Sequence, residues 1–248
     1  MVALDRVAPG IWRSGTRYVN WYVVDGGQAG LTLVDCGLPG YWRGVVEALK
    51  KLGRTPEAVA AVVLTHGHID HVGTAGRLAH AGAGVHLHPA DWGLAEDPST
   101  NRTDRSLVPY LRWPATAAFV GHCLRQGALR PERFPEPRAL DDGQTLDVPG
   151  DPRVVHVPGH TDGSCALEFS DHGVAFIGDA LCTTSPVTGR RASPQVQSRA
   201  SNANSEQALA SVAGLQRLSS PLLLPGHGEP WRDGAEAAIR SAQAVGCR

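Results

Sequence analysis

The chain has 248 residues, 42% of them hydrophobic, with 23 Lys and Arg against 24 Asp and Glu. That length can bury a substantial core in one large domain, and a net charge of −1 gives no electrostatic case for nucleic acid or an anionic membrane as a partner. No apolar run approaches the ~20 residues that span a bilayer, and the amino terminus lacks the basic start and apolar stretch of a leader. Five scattered cysteines without C-x-x-C spacing point to reduced thiols in a cytoplasmic protein, not to a disulfide framework.

In chain order, the stretches 11–14 and 18–24 read as antiparallel strands, and Gly26-Gly27 turns into Leu31-Thr32-Leu33-Val34-Asp35. Trp42, Val45, Val46 and Leu49 have helical spacing over 41–52, with Gly53 past the end. Val59-Ala60-Ala61-Val62-Val63-Leu64 is a short, valine-rich run and reads as a buried strand. It leads into Thr65-His66-Gly67-His68-Ile69-Asp70-His71, and a helix over 70–81 is predicted next, stopping at Gly82.

Three histidines and one aspartate thus crowd a strand-to-helix loop, where rigid neighbours commonly hold functional groups. Imidazole nitrogen and carboxylate oxygen are good ligands for zinc and similar ions. In an extended loop His66 and His68 share a face. Asp70 and His71 lie where the chain turns into its helix, so they can aim at a second point nearby. One metal cannot easily take four ligands from one heptapeptide; two adjacent metals can share them. His86 and His88, on a strand over 85–88, have the two-residue spacing of one face of an ordinary strand.

From about 90 to 136 the character changes to proline, arginine and aromatic residues, with two or three short helices at most, one near 116–124. This stretch looks like a cap-like insertion. Arg102, Arg105, Arg112, Arg125, Arg130 and Arg133 could greet an anionic substrate group or form a solvated face, and His122 reads as a packed or surface histidine. The pattern resumes with a hairpin over 140–146, turned by Asp142-Gly143. Strands come next at 153–157, 164–169 and 174–178. The stretch 180–204 is polar and irregular and is expected to pass near the metals. A helix over 205–218, a strand over 222–224 and a last helix over 233–245 close the chain. Further ligand candidates stand at strand ends beside glycines: His160 in Pro158-Gly159-His160-Thr161-Asp162-Gly163, Asp179 after Gly178, and His227 in Pro225-Gly226-His227-Gly228.

The ordered set His66-x-His68-x-Asp70-His71, His160, Asp179 and His227 resembles the metallo-β-lactamase-fold superfamily over nearly the whole chain. The resemblance implies an α/β fold, a four-layer αββα sandwich forming a single domain over 1–248, with its metal site on one edge. It implies one metal held by His66, His68 and His160, and another by Asp70, His71 and His227, with Asp179 bridging. Asp35 matches the upstream aspartate that orients ligands in this superfamily.

The activity implied is hydrolysis of an ester, thioester or lactone of a small molecule by hydroxide held between two divalent metals. Zinc is the first expectation, with iron or manganese also accepted by this ligand set. Asp70 would ligate and also help to shuttle a proton. The motif is similar to that of the hydroxyacylglutathione hydrolases (glyoxalase II), although only 21 residues follow His227, too few for their helical carboxy-terminal domain. Asp179 counts against the true β-lactamases, which generally lack it, and leaves β-lactam hydrolysis as a minor activity at most. His68 stands where the flavodiiron reductases carry Glu, and the tyrosine of acyl-homoserine lactonases has no counterpart between Asp179 and His227. The persulfide dioxygenases, with one iron held by the equivalents of His66, His160 and Asp179, supply the alternative reading.

Overall fold

In a computed structural model the structure describes residues 3–247; Met1 and Val2, part of the stretch read for a leader, and Arg248 lie outside it. The first sheet opens with β1 (Leu4–Ala8), β2 (Ile11–Gly15), β3 (Asn20–Asp25) and β4 (Leu31–Val34), each antiparallel to the last. Helix α1 (Trp42–Lys51) crosses to β5 (Val59–Val63), parallel to β4. Two short helices, α2 (Ile69–Val72) and α3 (Ala75–His80), lead to β6 (Gly84–Leu87). The segment read as an insertion carries α4 (Trp92–Glu96) and α5 (Pro114–Arg125) and precedes the two-residue β7 (Arg138–Ala139), which completes the sheet beside β6.

The second sheet takes β8 (Arg153–His156), β9 (Cys165–Phe169) and β10 (Val174–Gly178). The chain leaves it as a ribbon of β11 (Cys182–Thr184) and β12 (Arg191–Gln195), then α6 (Ser205–Ser211). It returns as β13 (Leu222–Pro225), parallel to β10, and ends in α7 (Gly234–Val245).

Strand periodicity explains the layering. Trp21, Val23, Leu33, Val62 and Leu64 face outward onto Val45, Leu49 and Leu78 of the helices. Their alternates Tyr22, Val24, Val34, Ala61 and Val63 face inward and meet Val154, Leu167, Phe169, Val174 and Phe176 of the second sheet. The other face of that sheet, Val155, Ala166, Ala175 and Ile177, packs on Val212, Leu215, Ala238 and Ala242. Helices therefore cover both outer faces of two stacked sheets, the expected αββα sandwich.

Several local expectations are corrected. The single helix over 70–81 is broken at Gly73-Thr74, because the chain there lies against the loop after β4. Gly73 N–H donates to Gly37 O at 2.7 Å, and a Cβ at Gly73 would stand 2.3 Å from the Leu38 carbonyl carbon. The hairpin over 140–146 is absent. Asp142-Gly143 does turn, but the residues just after it pair with β8, through a single bridge from Thr145 to Arg153 and a Val154 N–H donating to Gln144 O at 2.8 Å. The irregular stretch 180–204 contains the β11–β12 ribbon, and the helix over 205–218 stops at Ser211 and tightens into a 3-10 helix over Val212–Arg217. Strand β1 carried no usable alternation.

Candidate metal centre

The loops after β5, β8, β10 and β13 meet at one edge of the sandwich and bring all seven candidate side chains together. Three groups have potential ligand atoms within 4.8 Å of one another: His66, His68 and His160; His66, His71 and Asp179; and Asp70, His71 and His227. His160 Nε2 lies 3.3 Å and His227 Nε2 3.0 Å from Asp179 Oδ2, while Asp179 Oδ1 faces His71 Nε2 at 3.7 Å. Asp70 Oδ2 stands 3.7 Å from His71 Nε2 and 3.6 Å from His227 Nε2. Close approach needs Gly226, where a Cβ would fall 2.2 Å from Asp179 Oδ1 and 2.6 Å from His71 Cε1.

The partners behind the rings assign their tautomers. His71 Nδ1–H donates to Asp35 Oδ2 at 2.8 Å, and His160 Nδ1–H to Asn202 Oδ1 at 3.0 Å. His227 Nδ1–H donates to the Tyr18 carbonyl. The Thr65 hydroxyl donates to Asp35, which leaves its oxygen to accept from His66 Nδ1–H at 3.0 Å. Each of these four rings thus turns its Nε2 inward. His68 is reversed: its Nε2–H donates to Asn101 Oδ1 at 3.1 Å, and its Nδ1 meets His160 Nε2 at 2.9 Å, lone pair against lone pair.

These atoms fit a cation. His66 Nε2, His71 Nε2 and Asp179 Oδ1 are buried without any hydrogen-bond partner, a costly condition unless something positive satisfies them. Two of the inward rings, His66 and His160, are held neutral. Burial pushes His160 down to about 3, and burial with the nearby His71 holds His66 well below its usual value. Burial would raise Asp179, but His227 and His71 outweigh it and keep the carboxylate ionised. Burial would also lower His71, yet Asp179, Asp70 and Asp35 lift it to about 10. The excess of negative potential keeps a proton on His71 in the ion-free chain, and a metal would take the place of that proton, because ligands must be deprotonated to bind.

Other residues complete the frame. Asp91, 1% exposed at the start of the insertion, accepts from Gly67 N–H (2.8 Å), the Thr161 hydroxyl (2.6 Å) and Gly163 N–H (2.8 Å). It ties the His66 loop to the His160 loop. Gln197 Nε2–H donates to Asp179 Oδ2 at 3.0 Å, and Asn202 Nδ2–H to Gln197 O at 2.9 Å. The stretch around them thus passes the centre as expected, but no spacing or periodicity singled out Asp91, Gln197 or Asn202.

His86 and His88 stay apart from the centre: His88 stacks on His156 with ring centroids 4.3 Å apart. His122 Nε2 meets the Tyr41 hydroxyl at 2.7 Å. A cavity of ≈ 200 Å³ opens over His68, Asp70, His160, Asp179 and His227. The insertion contributes Leu94, Asn101, Leu107 and Phe119 to its walls, but none of its six arginines lines it. Arg105 and Arg112 instead flank a separate pocket beside Trp113.

A two-sheet sandwich of the αββα class gathers five histidines and two aspartates at the strand ends of one edge, in groups that could hold metal ions. The chain belongs to the metallo-beta-lactamase superfamily, whose family model matches residues 14–227. It is 28% identical over 165 residues to the Bacillus subtilis protein YobT, a match covering 66% of this chain and 62% of that one. The Haemophilus influenzae hydroxyacylglutathione hydrolase GloC is 33% identical over 121 residues, 48% of this chain and 49% of the relative. The match thus spans about half to three fifths of the length of these relatives. Among solved structures, a metallo-beta-lactamase family protein of Thermus thermophilus superposes with a TM-score of 0.71 at 26% identity, covering 97% of this chain and 80% of the other. A di-iron-bound form of TTHA1623 superposes at 0.62 and 25% identity, covering 92% and 96%. No helix among the described residues is long and apolar enough to cross a membrane.

Proposed function

We propose that this protein is a metal-dependent hydrolase that cleaves an ester, thioester or lactone of a small molecule at a centre of two divalent ions, zinc before iron or manganese. The observation that carries the reading is the convergence of buried, unpartnered ligand atoms from His66, His71 and Asp179 beside two further clusters of donors. The likeness to GloC, a hydroxyacylglutathione hydrolase, supports the reaction class. His66, His68 and His160 would hold one ion and Asp70, His71 and His227 the other, with Asp179 between them. Such ions, when bound, supply Lewis acidity and lower the pKa of water toward neutrality.

The chain's own residues do the rest. Asp35, Thr65, Asn202 and the Tyr18 carbonyl fix the rings so that their lone pairs are aimed before substrate arrives. Asp70 is the more open of the two central carboxylates, 13% exposed against 3% for Asp179. It takes up the proton lost as the water oxygen bonds to the carbonyl carbon, and gives it to the departing oxygen or sulfur. The apolar walls keep bulk water from the reacting carbonyl.

His66, His160 and Asp179 would also serve the one-iron dioxygenase reading, but Asp70, His71 and His227 form a group of their own, with ligand atoms within 4.8 Å of one another, and this favours two ions. A panel of thioesters, esters, lactones and β-lactams, assayed for acid release with and without chelator, tests the proposal. Asp70→Ala and His160→Ala should each lose metal and lower kcat/KM by on the order of 1,000-fold. Wild-type turnover in chelated protein would sink it, and oxygen uptake on a persulfide without acid release would transfer the site to the dioxygenase.

A further inference from the structure

The cavity's floor and walls differ in chemistry. Ile69, Leu94, Leu107, Phe119, Pro186 and Val187 form an apolar wall, supplied by α2, the insertion and the β11–β12 ribbon connection. Outside the seven candidate ligands, the polar lining is neutral: Asn101, Gln197 and Ser201. No lysine or arginine lines it among the described residues. A carboxylate carried into the body of this cavity would leave water without meeting a cationic side chain, a desolvation cost that nothing on the walls offsets. Cationic charge, once metals are bound, would lie only at the floor, where the reacting carbonyl sits, and not along the walls.

We propose that the acyl group this site accepts is uncharged and apolar, and that Leu107, Phe119 and Val187 select it. The inference rests on the hydrolase reading and adds the substrate class to it. In the reaction, water adds its oxygen to the acyl carbon, the bond from that carbon to oxygen or sulfur breaks, and the leaving atom takes the proton. The acid product is then charged only at its reacting end, while its tail remains in the apolar cavity.

The test compares a hexanoyl and a succinyl thioester of one leaving group, with calorimetric binding of hexanamide and succinamate as a readout independent of turnover. The hexanoyl thioester should be favoured at least about 100-fold in kcat/KM, and hexanamide should bind at least about tenfold more tightly than succinamate. Leu107→Arg, at a half-buried wall position, should shift both ratios toward the anion by at least about tenfold with metal content unchanged. Equal turnover and equal binding of neutral and anionic members in the wild type would overturn the proposal. Failure to hydrolyse any member of the panel would instead count against the hydrolase reading, and the two amides would still decide the cavity's preference.

Discussion

Each imidazole at the centre has a group behind it that sets its tautomer, and Asp91 fixes the loops that carry two of those rings. Its carboxylate spans Gly67 and Thr161, 24 and 70 residues away in sequence. Removing it would leave two buried backbone N–H groups, of Gly67 and Gly163, without their acceptor. Asp91→Ala should therefore lower stability by about 3 kcal/mol, visible as a fall in Tm of about 6–12 °C, and weaken metal binding about 10- to 100-fold. Calorimetric melting and metal titration check both, and an unchanged metal affinity would remove Asp91 from the positioning role. The candidate ligands were legible because ligand chemistry is concentrated in seven consecutive residues and repeated beside glycines at strand ends. Asp91, Gln197 and Asn202 were not, since an ordinary turn aspartate or loop amide acquires its role only when the fold closes distant loops around it.

At the scale of the elements, Glu168 of β9 locks the second sheet to the approach of β13. One oxygen accepts from the backbone N–H of Ser219 (2.6 Å) and Ser220 (3.0 Å), and the other meets Arg153 of β8 at 2.5 Å. Burial would raise this carboxyl, but Arg153 and the Ser219 and Ser220 donors outweigh it and hold it below its usual range. A depressed folded pKa stabilises above the unfolded value, about 4.3, and the contribution is lost as pH falls through the folded value. Glu168→Gln should cost about 2 kcal/mol at pH 7, and the gap between wild type and variant should close below about pH 4. Urea unfolding at both pH values measures it, and a gap independent of pH would contradict the charge-based explanation. Buried strands were readable from valine-rich runs and α1 from its helical spacing. The break at Gly73 and the pairing of Thr145 with β8 were not readable, because close backbone contact with distant segments overrides local propensity there.

For the whole molecule, the centre lies where loops from both sheets converge, so a bound ion joins the two halves of the sandwich. Ligands that bind the folded chain alone stabilise it by mass action, about 4 kcal/mol at a thousandfold excess over Kd. Chelation should accordingly lower Tm by about 8–16 °C, and restored metal should reverse the shift; melting unaffected by chelator would show that the edge holds itself together without ions. The αββα layering was legible only through the family resemblance, because central strands buried on both faces read as continuous apolar runs with no alternation to mark the layers.

The central claim, two ions in one seven-residue centre, is tested most directly by elemental analysis of metal per chain in protein purified without added metal. Near two equivalents of divalent metal is the expected result, falling to one or none in His160→Ala and Asp70→Ala. A single equivalent of iron in the wild type, or no metal at all beside undiminished turnover, would contradict it.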